Sequence, residues 1–247
     1  MFKRRLPKDA RSVLIIWLIG TVIGEVLVFN LHRLLPGLLP PAASDLARNT
    51  NLTLGVFTVL SVPVAMVVIA VVVHMIWTAR TRRFPDADGP AIHGSAWAQG
   101  TWVGTSAMLC VGLLVWGLAL MPGLYSPHEG KNLVVDVTGQ QWQWTFTYPG
   151  QGNVTSTTLE LPVNVPVTFR VTSVDVTHSF WVPALSVKVD ANDGRITTAY
   201  VKPDRTGTYT VQCAELCGLY HAYMQGPAKV VTAAQFSSWI SSQRSGS

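Results

Sequence analysis

"CAELCGLYHAYM", residues 213–224, sets two cysteines, a glutamate, a histidine and a methionine close together near the end of a hydrophobic, sparsely charged chain. Thiolate, imidazole and thioether are the soft and borderline donors that copper and zinc select, and Cys213, Cys217, His221 and Met224 offer them in succession. The stretch follows the alternating "TYTVQ" and precedes "GPAKVV", which makes it a loop joining two late strands of a β-domain. A further histidine, His178, stands upstream in "DVTHSFWVP". A late ligand loop with one distant histidine is an arrangement able to gather copper.

Working outward, "GQQWQWTFTY" at 139–148 alternates Trp142, Trp144, Phe146 and Tyr148 with Gln141, Gln143, Thr145 and Thr147, the period of a half-buried strand. "NLVVDVTG", "VPVTFRVTS", "RITTAYV", "TYTVQC" and "AKVVTA" read the same way, between turn signals such as "LPVNVP", "NDG" and "PDRTG". Many short strands predict an all-β sandwich or barrel over 122–247. Phe236, Trp239 and Ile240 at helical spacing predict a short closing helix from Ala234 to Ser242, and the last residues, "SQRSGS", read as disordered.

Residues 1–121 are of another kind. Hydrophobic residues make up 49% of the chain and charged residues only 13%, well to the apolar side of a soluble domain. Three runs, 12–31, 52–77 and 102–121, reach the roughly 20 residues a membrane-spanning helix needs. Lys3, Arg4, Arg5, Lys8 and Arg11 precede the first, and Arg80, Arg82 and Arg83 follow the second. The positive-inside rule therefore puts the N-terminus in the cytoplasm and everything after the third run on the outer face. The whole net charge of +5 resides in this half, since 122–247 holds 8 basic and 8 acidic residues. The basic balance is thus topogenic, and nucleic-acid binding is not read from it. A basic start before an apolar run also begins secretory signals, but this run exceeds the usual apolar core of such a signal, so a retained helix is expected. Glu25 within it is costly in lipid and marks either a functional site or a pairing with Thr21 or a neighbouring subunit. His74 reads as interfacial and Cys110 as a small packing residue.

The two late cysteines have other readings. On an extracytoplasmic domain they could form a disulfide, which leaves both histidines without a role. Cys213, Cys217, His221 and His178 could form a structural zinc site, though the cysteine spacing is wider than usual and Met224 is then idle. Two thiolates four residues apart can instead bridge two metals, each capped by one histidine, with Met224 and a backbone carbonyl as weak ligands.

Taken in order, "GQQWQW", "DVTHSFWVPALSVKVDANDGR" and "CAELCGLYHAYM" resemble subunit II of the haem-copper cytochrome oxidases, over nearly all of 120–240. The resemblance implies a cupredoxin-like domain behind two or three transmembrane helices, in the plasma membrane with the C-terminal domain outside. It implies that His178, Cys213, Cys217, His221 and Met224 bind the dinuclear copper centre CuA by side chains and Glu215 by its carbonyl, with the Glu215 side chain reaching Mg at subunit I. Trp142 resembles the aromatic residue that receives the electron from cytochrome c, and Lys188, Asp190 and Arg195 lie in the stretch that contacts subunit I. Implied partners are subunit I with its haem and CuB, subunit III, cytochrome c and membrane lipid, and the implied role is to pass electrons to subunit I for reduction of O2 with proton pumping. The chain departs from the family pattern in its extra first apolar run, in Gln99 where a glutamate is usual, and in Gln143 between the tryptophans. A copper-free quinol oxidase subunit, the copper subunit of a nitric oxide reductase, and a membrane-tethered copper carrier are the alternatives.

Overall fold

The computed structural model describes residues 8–35, 40–81, 94–125 and 132–245. Lys3, Arg4, Arg5, Arg82 and Arg83, on which the threading argument rests, lie outside them, as do the final two residues. Contacts divide the chain into two units, 1–39 with 52–112, and 40–51 with 113–247.

The first unit is helical: α1 (Lys8–Phe29), a single turn α2 (Leu31–Leu34), most of α3 (Asp45–Thr81) and the first part of α4 (Ala96–Tyr125). Among the described residues α1, α3 and α4 are long and apolar enough to cross a membrane. All three expected runs are helical, with α3 and α4 longer at both ends and α1 lying a little earlier in the chain. Gly20 and Gly24 let α1 approach α3 closely: a Cβ at Gly24 would lie 2.7 Å from Val62, and one at Gly20 3.0 Å from the Met66 sulfur. The Trp17 indole N–H donates to the carbonyl of Pro63, inside α3, at 2.8 Å. The pairing of Glu25 with Thr21 is not made, because Thr21 Oγ1 and Glu25 Oε2 are both buried without a partner. Cys110 is exposed on α4 rather than packed.

The second unit is a sandwich of two five-stranded sheets followed by α5 (Ala233–Ser245). One sheet orders β3 (Val154–Ser156), β2 (Gln143–Tyr148), β1 (Leu133–Gln140), β5 (Val167–Ser173) and β8 (Thr197–Val201). The other orders β4 (Leu159–Pro162), β10 (Gln225–Val231), β9 (Gly207–Cys213), β6 (His178–Val182) and β7 (Val187–Ala191). Val135, Val137, Trp144, Phe146, Tyr148, Phe169 and Val171 from the first sheet meet Leu159, Leu161, Phe180, Val182 and Val211 from the second, the alternation that strand geometry requires.

Residues 139–148 are not one strand. Gln140 pairs with Gln143, so Gln141 and Trp142 form the tip of the β1–β2 hairpin, and only the residues from 143 onward continue the alternation. The strands β6 and β4 gave no alternating signal because almost every residue in them is buried on both faces. The closing helix begins where Thr232 and Gln235 cap each other, the Gln235 N–H donating to Thr232 Oγ1 and the Thr232 N–H to Gln235 Oε1. It runs to Ser245, past the expected end. Ser44 begins α3 by accepting the Ala47 N–H at 3.0 Å and donating to the Leu185 carbonyl at 2.9 Å. With the Ala43–Ala184 hydrogen bond and the Arg48–Asp204 ion pair, this binds residues 40–51 to the sandwich.

Candidate metal centre

Strand pairing brings the upstream histidine to the loop. Phe180 of β6 lies opposite Cys213 of β9, and the Ala214 N–H donates to the Ser179 carbonyl, so His178 sits beside the first residues after Cys213. On the other side, the Cys213 N–H donates to the Met224 carbonyl at 3.0 Å, and Gln212 pairs with Gln225. Cys213 and Met224 therefore form the base of the β9–β10 hairpin, with 214–223 as its loop. Gly218 at φ +120° turns the loop, and a 3-10 turn over His221–Tyr223 returns it to β10.

The result is a chain of soft donors in contact. Cys213 Sγ lies 3.9 Å from His178 Nδ1, 3.8 Å from Cys217 Sγ and 3.2 Å from the Glu215 carbonyl oxygen. Cys217 Sγ lies 3.6 Å from His221 Nδ1 and 3.7 Å from Met224 Sδ. His178, Cys213 and Cys217 are buried, and their donor atoms fall within 4.8 Å of one another. Both cysteines are free thiols, their sulfurs 3.8 Å apart and not bonded as a disulfide. The expected donors thus form a connected chain: His178, Cys213 and Cys217 lie together, the Glu215 carbonyl meets Cys213, and His221 and Met224 join through Cys217, while Glu215 as a residue is exposed.

Burial, and then contact with Cys213, push the Cys217 thiol well above its ordinary value. A metal binding there must displace that proton. His178 is oriented from behind by Asp175, whose Oδ1 lies 2.9 Å from Nε2. Burial alone would raise the Asp175 carboxyl, but the Gln141 N–H, His178, the Val176 N–H and Ser173 outweigh it and hold it down to about 2. An ionised carboxylate only accepts, so Nε2 carries the proton toward Asp175, and Nδ1 is the nitrogen that faces the sulfurs.

Trp142 packs on the loop. Its ring meets Tyr220 edge-on at 4.9 Å, and a Cβ on Gly218 would lie 3.3 Å from it. Lys188, Asp190 and Arg195 line one depression with Asn192 and Thr197, away from the sulfurs. Sequence reading missed Asp175, Gln141 and Gly139 as parts of the centre. The only hint for Asp175 was a carboxylate three residues before a candidate ligand histidine.

A family described as cytochrome c oxidase subunit II, periplasmic domain, matches residues 154–232, which hold all six candidate ligands. The alternative cytochrome c oxidase subunit 2 of Bradyrhizobium diazoefficiens is 33% identical over 175 residues, covering 59% of this chain and 61% of that protein. The chain is similar to cytochrome c oxidase subunit II. Cytochrome c oxidase subunit 2 of Thermostichus vulcanus is 29% identical, over 82% of this chain and 77% of that one. The crystal structure of the periplasmic domain of subunit II of cytochrome oxidase from Bradyrhizobium japonicum aligns with 32% identity and a TM-score of 0.46, covering 48% of this chain and 99% of that domain. The chain spans about three-fifths of the first relative's length. Gln141 and Trp142 lie upstream of the residues the family description matches.

Proposed function

We propose that this chain is the electron-accepting subunit of a respiratory haem-copper oxidase, taking single electrons on the outer face of the membrane and passing them to subunit I. The convergence of two thiols, two imidazoles, a thioether and a carbonyl carries this reading. That donor set is soft and borderline, as copper selects, and it is too rich in sulfur for Mg or Ca. His178, Cys213, Cys217, His221, Met224 and the Glu215 carbonyl would hold a dinuclear CuA centre. Bound there, copper supplies a one-electron couple shared between two ions.

The protein's own part is to hold those donors still and dry. His178, the first residue of β6, and Met224, immediately before β10, are fully buried, so their positions would change little with redox state. Trp142, half-buried on the loop, is the residue where the electron from cytochrome c would enter. The Glu215 side chain is free to reach Mg at the subunit I face. Reduction of O2 and proton pumping belong to subunit I, with subunit III as a further partner. The division at about residue 121, with the helices in the plasma membrane and the β-domain outside, completes this reading.

Purified full-length chain loaded with copper tests it. The expected result is two copper ions per chain, with the unpaired electron coupled to both nuclei. One ion per chain, or hyperfine structure from a single nucleus, overturns the dinuclear reading. Co-purification of a haem-containing large subunit tests the assignment to an oxidase.

A further inference from the structure

The ligands come from two separate segments, the β9–β10 loop and the start of β6. Gln141, at the tip of the β1–β2 hairpin, touches both. Its side-chain amide donates to the Cys217 carbonyl at 2.7 Å. Its backbone N–H donates to Asp175 Oδ2 at 2.7 Å, and the other Asp175 oxygen holds His178. The contacts close a ring: Cys217 carbonyl, Gln141, Asp175, His178, Cys213, and back to Cys217.

The loop is shaped to admit this amide. Gly218, the residue after Cys217, has φ +120°, and a Cβ there would lie 2.9 Å from Gln141 Nε2. The acceptor is a carbonyl, so the amide can satisfy it only with its NH2 group. A carboxylate of the same shape, ionised, has nothing to donate.

We propose that Gln141 is a positioning residue for the metal centre: one side chain that ties the cysteine loop to the histidine-bearing strand and fixes the separation of the two halves of the ligand set. The inference rests on the copper reading given above. It assigns Gln141 no contact with metal, and its neighbour Trp142 remains the point of electron uptake.

The test uses the full-length chain with Gln141→Leu, Gln141→Glu and, as a control on the exposed side of the hairpin, Gln143→Leu. Gln141→Leu keeps the backbone N–H to Asp175, so the hairpin and the His178 contact survive while only the link to the loop is lost. In the metal-free chain, hydrogen exchange of amides 214–221 should accelerate by up to about tenfold, the equilibrium worth of one lost hydrogen bond. In the copper-loaded chain, loss of copper to a chelator should accelerate by a similar factor, and the reduction potential and visible spectrum should shift. Gln141→Glu should behave like Gln141→Leu, and Gln143→Leu like the parent. Unchanged exchange, release and spectrum in Gln141→Leu would overturn the proposal. Parent-like behaviour of Gln141→Glu would also do so, because a residue that cannot donate would then suffice. If the parent chain binds no copper, the copper reading fails while the exchange result on the metal-free chain still decides the clamp.

Discussion

Gly139 offers a way to move a ligand without removing one. A Cβ added there would lie 3.0 Å from His178 Cδ2, 3.0 Å from Trp144 Cζ3 and 3.3 Å from His178 Cγ. Carbon contacts are most favourable at about 3.5–4.0 Å, so Gly139→Ala overlaps both rings by several tenths of an ångström. Neither ring yields cheaply. His178 is 0% and Trp144 3% exposed, and Trp144 is held edge-on against Phe180 at 5.6 Å. Overpacking of this kind costs about 1–3 kcal/mol, a Tm lowered by roughly 4–12 °C for a domain of this size. The displaced imidazole also carries Nδ1 away from its place 3.9 Å from Cys213. Copper should therefore bind more weakly, with an altered visible spectrum, in a chain whose ligands are all present. Thermal unfolding and copper titration of Gly139→Ala, beside Gly150→Ala at a site with nothing within 4 Å, give the measurement. If Gly139→Ala matches Gly150→Ala in both stability and spectrum, the packing argument is wrong.

Four further outcomes are expected. Trp142→Phe should slow reduction by the external donor with copper content unchanged; an unaltered stopped-flow rate removes Trp142 from the route. Met224→Leu should keep both coppers and shift the potential, since the thioether is a weak ligand, and copper loss on metal analysis would contradict this. Burial raises the Glu160 carboxyl, partly offset by Lys229, so its favourable contribution is present below its unfolded value and lost as pH rises through the folded one. Glu160→Gln should accordingly gain stability relative to the parent at pH 7 but not at pH 4 in urea unfolding. Asp175 is engaged with His178 and Gln141, which leaves Asp190, Asp193 and Glu215 as the exposed acids of the surrounding segments. Donor reduction should then depend only modestly on salt, and a fall of about 100-fold across a salt series would show that charge steers docking.

The candidate ligands were legible because the chemistry of a soft-metal site restricts residue type: two cysteines, two histidines and a methionine at such spacing have few other uses. The three helices were legible because lipid demands uninterrupted apolar length. What escaped was whatever depends on pairing between distant strands. His178 reaches Cys213 only through the β6–β9 register, and β6, buried on both faces, carries no alternation to announce it. Gln141 looked like the polar half of an alternating strand, yet it stands in the turn where that strand breaks. The alternation continues to Tyr148 on the far side, which is why the break was invisible. Cys110 and Thr21 were assigned by residue type alone, and the helices place both differently from expectation.

The two faces of the centre differ in a way that bears on how it would work. On the strand side, His178 and Met224 are 0% exposed and Asp175 holds the histidine ring at Nε2, so that half is tightly packed and excludes water. On the loop side, Leu216, Leu219 and Tyr223 are 79%, 83% and 79% exposed, with Tyr220 against Trp142. Single exposed apolar residues are ordinary, but four on one ligand loop expose apolar surface where a soluble domain would hide it. On the proposed function, rigid ligands would keep the rearrangement on electron transfer small, and an apolar surface next to them would let a partner exclude water without a dedicated charge pattern. On the proposed function, the same short segment would be both ligand frame and contact surface. Those demands conflict, because an exposed loop is ordinarily mobile. The Gln141 amide and the Cys213–Met224 backbone pair resolve the conflict by pinning the loop at its middle and its base, leaving the side chains between them free to meet a partner.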